Sequence, residues 1–87
     1  MISSNITLGS SPGIDIRLSD SGIANFHARI LYKDRKHFLE NLDGRGRSFV
    51  NGVQASDIVE LKEGDVIRLG DIKMQVEYAS AQAVHAN

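Results

Sequence analysis

The stretch LKEGDVIRLGDIKMQVEY, residues 61–78, decides the fold class. Over its last seven residues Ile72, Met74, Val76 and Tyr78 share one face and Lys73, Gln75 and Glu77 the other. A period of two is the signature of a strand with one buried and one wet face. Upstream, Glu63-Gly64-Asp65 and Gly70-Asp71 are turn signals on either side of Val66 to Leu69, so the stretch reads as consecutive short strands.

Working outward, residues 26–33 alternate in the same way, with Phe26, Ala28, Ile30 and Tyr32 opposed to His27, Arg29, Leu31 and Lys33. Asp34-Arg35-Lys36 then turns the chain back into residues 37–42, giving a hairpin. Asn51-Gly52 suits a type I′ turn, which needs positive φ at both central residues. Residues 55–61 lack the length and the apolar stripe of a helix. The expected strands are 5–8, 15–18, 26–33, 37–42, 48–50, 53–54, 58–61, 66–69 and 72–78. This predicts an all-β, two-sheet β-sandwich of about nine to eleven short, antiparallel-rich strands. Phe26, Ile30, Val66, Leu69, Met74 and Val76 are its expected core residues.

A chain of 87 residues supplies one core, so one domain is expected over residues 1–79, with 80–87 as a tail or the start of a linker. Apolar residues at 41% and charged residues at 24% suit a folded protein and exclude a disordered one. Ten Lys and Arg against 11 Asp and Glu give no field that gathers polyanions, which argues against nucleic acid as a partner. No signal peptide or membrane helix is legible, and the lack of cysteine fits a reducing cytoplasm.

Catalytic and metal chemistry find little support. His27, His37 and His85 have no ligand spacing, so neither a metal nor another cofactor is expected. Asp20, Ser21 and His27 could form a nucleophile set, but no strained elbow presents the serine. The glycine- and serine-rich LGSSPG, residues 8–13, precedes a strand and lacks the lysine of a nucleotide loop. It reads as a sheet-edge loop in which Gly9 supplies a bend and Pro12 fixes φ. In DGRGR, residues 43–47, Arg45 and Arg47 offer forked donors suited to a carboxylate, a phosphate or a backbone. Two solvated surface arginines are the plainer alternative. The chain is therefore read as a binding module and not as an enzyme.

LGSSPGIDIRL, IANFHARI, GRGRSFVNG and LKEGDVIRLG, in this order, resemble the forkhead-associated (FHA) domain, a β-sandwich of the SMAD/FHA type whose loops bind phosphothreonine peptides. Gly9, Asp15, Ile16, Leu18, His27, Phe49, Val50, Asn51, Gly52, Leu61, Gly64, Asp65, Ile67 and Gly70 agree with the family pattern. The phosphate-binding positions do not. Ser10 stands where the family has an arginine, Ala24 and Asn25 replace a serine and an arginine, and Gly46 and Arg47 replace an asparagine and a glycine.

The resemblance implies partner-binding loops carrying Ser10, Ser11, Ala24, Asn25, Arg45, Gly46 and Arg47, supported by Gly9, His27, Asn51 and Gly52. It also implies a structural His27 that buttresses those loops by hydrogen bonding. A charged hydrogen bond to phosphate is worth roughly 1.5–3 kcal/mol, so losing several takes a micromolar site to about millimolar. The expected function is therefore phosphate-independent binding of a protein or peptide. A phosphothreonine reader using Arg45 and Arg47 is the alternative.

Family members usually carry a strand or more before the glycine-arginine opening, and only eight residues precede Gly9 here, so the first strand is missing or another chain supplies it. LSDSGIANFH, residues 18–27, also resembles the FHA-like cytoplasmic domains of type III secretion inner-ring proteins. A ring-forming domain, as a homo-oligomer or part of a larger assembly anchored elsewhere in a membrane, is the third reading.

Overall fold

The computed structural model describes residues 4–77. Its elements are all strands: β1 (Ser4–Gly9), β2 (Ile16–Arg17), β3 (Ala28–Lys33), β4 (Lys36–Asn41), β5 (Ser48–Val50), β6 (Val53–Gln54), β7 (Ile58–Leu61), β8 (Val66–Leu69) and β9 (Ile72–Gln75). They form two sheets, one in the order β2-β1-β3-β4-β7 and one in the order β6-β5-β8-β9. The two-sheet sandwich is the architecture expected from the alternating pattern. Tyr78, His85 and the expected tail lie outside the described residues.

The turns set the registers. β3 and β4 pair from Ala28↔Asn41 to Lys33↔Lys36, leaving a two-residue turn at Asp34-Arg35. Both residues have positive φ, 54° and 65°, which is the type I′ twist that matches a right-handed hairpin. Asn51-Gly52, with φ of 52° and 83°, joins β5 and β6 in the same way. β1 and β2 run parallel, with Leu8 opposite Ile16 and Gly9 opposite Arg17, so the loop between them crosses one end of the sandwich.

Leu8, Leu39 and Leu69 are the largest fully buried apolar side chains, and Ala28, Val50, Ala55, Leu61 and Ile67 pack around them. Ile30, Met74 and Val76 pack against this core but are only partly buried. They line an apolar cleft of about 260 Å³ between the sheets, together with Ile6 and Ile67, at the side where β9 is the outer strand.

Two expected core residues are exposed. Phe26 is 59% accessible, because the alternation in residues 26–33 breaks at His27, where both His27 and Ala28 are fully buried. The carbonyl of His27 accepts from both Leu42 N, at 2.9 Å, and Asp43 N, at 3.0 Å. Two residues opposing one is a β-bulge whose extra residue lies on the 42–43 side, and β3 begins only at Ala28, so Phe26 belongs to the preceding loop and follows no strand alternation. Val66 is 38% accessible, since Ile67 and Leu69 take the inner face of β8. Residues three apart in a strand point to opposite faces, so Val66 and Leu69 could not both be core.

Leu39→Ala or Leu69→Ala should therefore cost about 2–5 kcal/mol, while Phe26→Ala and Val66→Ala should each stay within about 0.5 kcal/mol. Urea titration measures this. An equal loss at Phe26 would contradict its exposed placement.

Candidate protein-binding site

Three loops meet at the end of the sandwich where β1 finishes: residues 10–15, 19–27 and 42–47. His27 ties them together from below, fully buried. Its Nδ1 accepts the Ala24 N–H at 3.0 Å. Its Nε2 lies 3.1 Å from the Arg47 carbonyl, so with Nδ1 an acceptor the proton sits on Nε2 and is donated to that oxygen. The His27 backbone N–H donates to Leu8 O at 2.9 Å. One residue thus joins β1 to both neighbouring loops. With both ring nitrogens committed to backbone, it is no general base for Ser21, and the Asp20-Ser21-His27 set is not assembled.

The 42–47 loop is built on Asp43. Its buried carboxylate accepts Arg47 Nε at 2.8 Å, Arg47 Nη2 at 3.3 Å, Arg47 N at 3.1 Å and Arg45 N at 3.3 Å. The Arg47 side chain, followed by these backbone donors, holds the Asp43 carboxyl well below the usual carboxylate range and raises the Arg47 guanidinium. Asn41 closes the base of the loop, donating to Asp43 O at 2.9 Å and accepting the buried Ser48 hydroxyl at 2.6 Å. Gly46 takes the left-handed conformation, φ 67°, that the tight loop requires.

The first loop is stitched to the second. Ser10 N donates to Ala24 O at 3.0 Å and Ser11 N to Asn25 O at 3.3 Å. The Ser10 hydroxyl lies 3.2 Å from Asn25 Oδ1, to which it donates. Gly9 is not needed for a bend with positive φ. A Cβ there would fall 2.0 Å from Asn25 O, so the close approach of the two backbones is what requires glycine.

The structure therefore brings Gly9, Ser10, Ser11, Ala24, Asn25, His27, Arg45, Gly46 and Arg47 to one end, but leaves Asn51 and Gly52 away from it. Asn51 instead spans to the turn before β8, donating to Asp65 Oδ1 and accepting Val66 N, each at 2.9 Å. Asn41, Asp43 and Ser48 were not legible as site residues, although Asp43-Gly44 is itself a turn signal. Arg17 was missed as well. Its Nε donates to the Ser10 carbonyl at 3.0 Å, and nothing in its strand pattern marks that reach.

The FHA domain model matches residues 6–70, and the chain belongs to the FHA family, whose members are protein-interaction modules. Solved structures agree. The chain matches one from a structural and functional analysis of phosphothreonine-dependent FHA domain interactions at 25% identity, covering 92% of this chain and 82% of that one, with a TM-score of 0.81. It matches the FHA domain of the CT664 protein from Chlamydia trachomatis at 30% identity over 87% of this chain and 78% of that one, TM-score 0.76. The FhaA FHA domain complexed with the intracellular domain of Rv3910 follows at 26%, 84%, 79% and 0.74 in the same order. No curated protein matches the chain.

Because Asp43 ionises more readily folded than unfolded, where 3.8 is its ordinary value, its contribution is complete above that value and is lost as pH falls towards the folded value. Asp65 is lowered too, by the Asn51 side chain and the Lys62 N–H, and acts with the same sign. Thermal unfolding from pH 6 to pH 2.5 should show the midpoint falling with acid. Asp43→Asn should lower the midpoint at pH 6 and flatten, without abolishing, the acid slope. An unchanged slope would contradict the assigned role.

Proposed function

We propose that the loop end binds a protein partner in a manner that does not require phosphate. The observation that carries this reading is the fate of the phosphate-binding positions. Ser10 and Asn25, standing where the family pattern has arginines, are hydrogen-bonded to each other. Ala24 has no hydroxyl to offer. Arg47, one of the two candidate replacement cations, has its guanidinium on the Asp43 carboxylate. A dianionic phosphate needs several charged or well-aimed donors, each worth roughly 1.5–3 kcal/mol, and these positions no longer supply them.

The scaffold that presents the loops is intact, which supports binding as the retained activity. A protein partner is the natural object, as for the FhaA domain complexed with an intracellular domain. In this reading the domain is non-catalytic, takes no cofactor or nucleic acid, resides in the cytoplasm and works as part of a larger assembly. Arg45 keeps the phosphothreonine reading as the second possibility, since it is exposed and no side-chain partner holds it among the described residues.

Calorimetric titration with a degenerate phosphothreonine peptide library and its unphosphorylated counterpart tests the proposal. No phosphate-dependent binding tighter than about millimolar is expected, the range reached when several charged contacts are lost. Ser10→Arg, Ala24→Ser and Asn25→Arg together should create measurable affinity. Micromolar binding of the phosphopeptides by the unaltered domain would overturn the reading.

A further inference from the structure

Arg17 brings a guanidinium to the Ser10 backbone. It lies on β2 opposite Gly9, is exposed, and turns its guanidinium across the first loop so that Nε donates to Ser10 O. That bond uses one of five N–H groups and fixes the guanidinium beside Ser10, while both Nη groups have no partner among the described residues. The neighbouring amide is oriented too. Ser10 Oγ donates to Asn25 Oδ1, which leaves the exposed Asn25 Nδ2 on the same rim as a donor with no partner among the described residues.

We infer that Arg17 and Asn25 form a recognition site for a carboxylate side chain, Asp or Glu, of the partner, with the exposed Phe26 beside them receiving an adjacent apolar residue. The inference rests on the proposed function and names the partner's chemistry.

The donor set decides between anions. A planar guanidinium presents paired N–H groups that match the two oxygens of a carboxylate, and one amide completes its coordination. A phosphate dianion has three oxygens and a second charge, for which this end offers the exposed Arg45, whose side chain no hydrogen bond fixes among the described residues. Among the described residues no nearby acid is paired with the fork: Asp43 is bound by Arg47, Asp15 Oδ2 accepts Thr7 N at 2.9 Å, and neither Asp15 nor the exposed Asp20 forms an ion pair with Arg17. Phe26, 59% accessible and directly after Asn25, adds an apolar surface of the kind that anchors binding interfaces.

The test is an NMR titration with degenerate peptide pools whose fixed centre is Glu, Gln, Thr or phosphothreonine. The Glu pool should shift the amides of Ser10, Ser11 and Asn25 and the Arg17 Nε resonance, and should bind at least tenfold more tightly than the Gln pool. Arg17→Gln should remove that tenfold preference, and Arg17→Lys should restore only part of it because the fork is absent. The thermal midpoint of each variant confirms folding.

Equal binding of the Glu and Gln pools, or a Glu preference that survives Arg17→Gln, would overturn the carboxylate site while leaving a phosphate-independent interface standing. Stronger binding of the phosphothreonine pool, lost in Arg17→Gln, would instead overturn both carboxylate selectivity and phosphate independence. If no pool moves a loop amide, the loop end is not the binding surface and both readings fall.

Discussion

The loop end of this domain depends on one buried imidazole. His27 makes no contact with solvent, and each of its polar atoms is committed to a backbone group: Nδ1 to Ala24, Nε2 to Arg47, the amide to Leu8 and the carbonyl to Leu42 and Asp43. Inside a protein such bonds are strong, and a missing partner leaves a desolvated polar group at a cost of about 1–3 kcal/mol. The loops cannot shift independently without breaking one of them. Asp43 adds a charge-assisted core to the loop facing His27, and the two side chains approach to 3.8 Å. Together they fix where Ser10, Asn25 and Arg47 stand, whatever those residues go on to bind.

This division explains how recognition can change while the fold does not. His27 and Gly9 act on backbone atoms or on backbone clearance, which are the same for almost any loop sequence, while Asp43 divides its bonds between two backbone N–H groups and the Arg47 side chain. Ser10, Ala24, Asn25 and Arg45 face outward and contribute little to the core. Substitutions at those positions alter charge and donors with small effects on stability. The scaffold can therefore remain an FHA domain whatever chemistry its loop end presents.

Most of the fold was legible because period-two alternation and turn residues are local signals. Residues 48–50, 53–54, 58–61 and 66–69 form strands at the bounds read from sequence. Phe26 and Val66 were misplaced for two different reasons. Phe26 precedes β3, which begins at Ala28, and the His27 ring is drawn inward by its bonds to Ala24 and Arg47, which alternation cannot reveal. Val66 and Leu69 were assigned to one face although their spacing forbids it. At the site, the framework glycines and His27 stood out through the family pattern. The capture of Arg47 by Asp43 and the reach of Arg17 to Ser10 did not, because side-chain geometry within loops follows from the folded backbone.

The most direct measurement is the long-range ¹H–¹⁵N spectrum of the His27 ring, recorded with the hydrogen-exchange rate of the Ala24 amide. The structure requires the proton on Nε2, an unprotonated Nδ1 and a protected Ala24 N–H. A ring protonated at Nδ1, or an Ala24 amide exchanging at the rate of an open loop, would show that His27 does not hold the loops together.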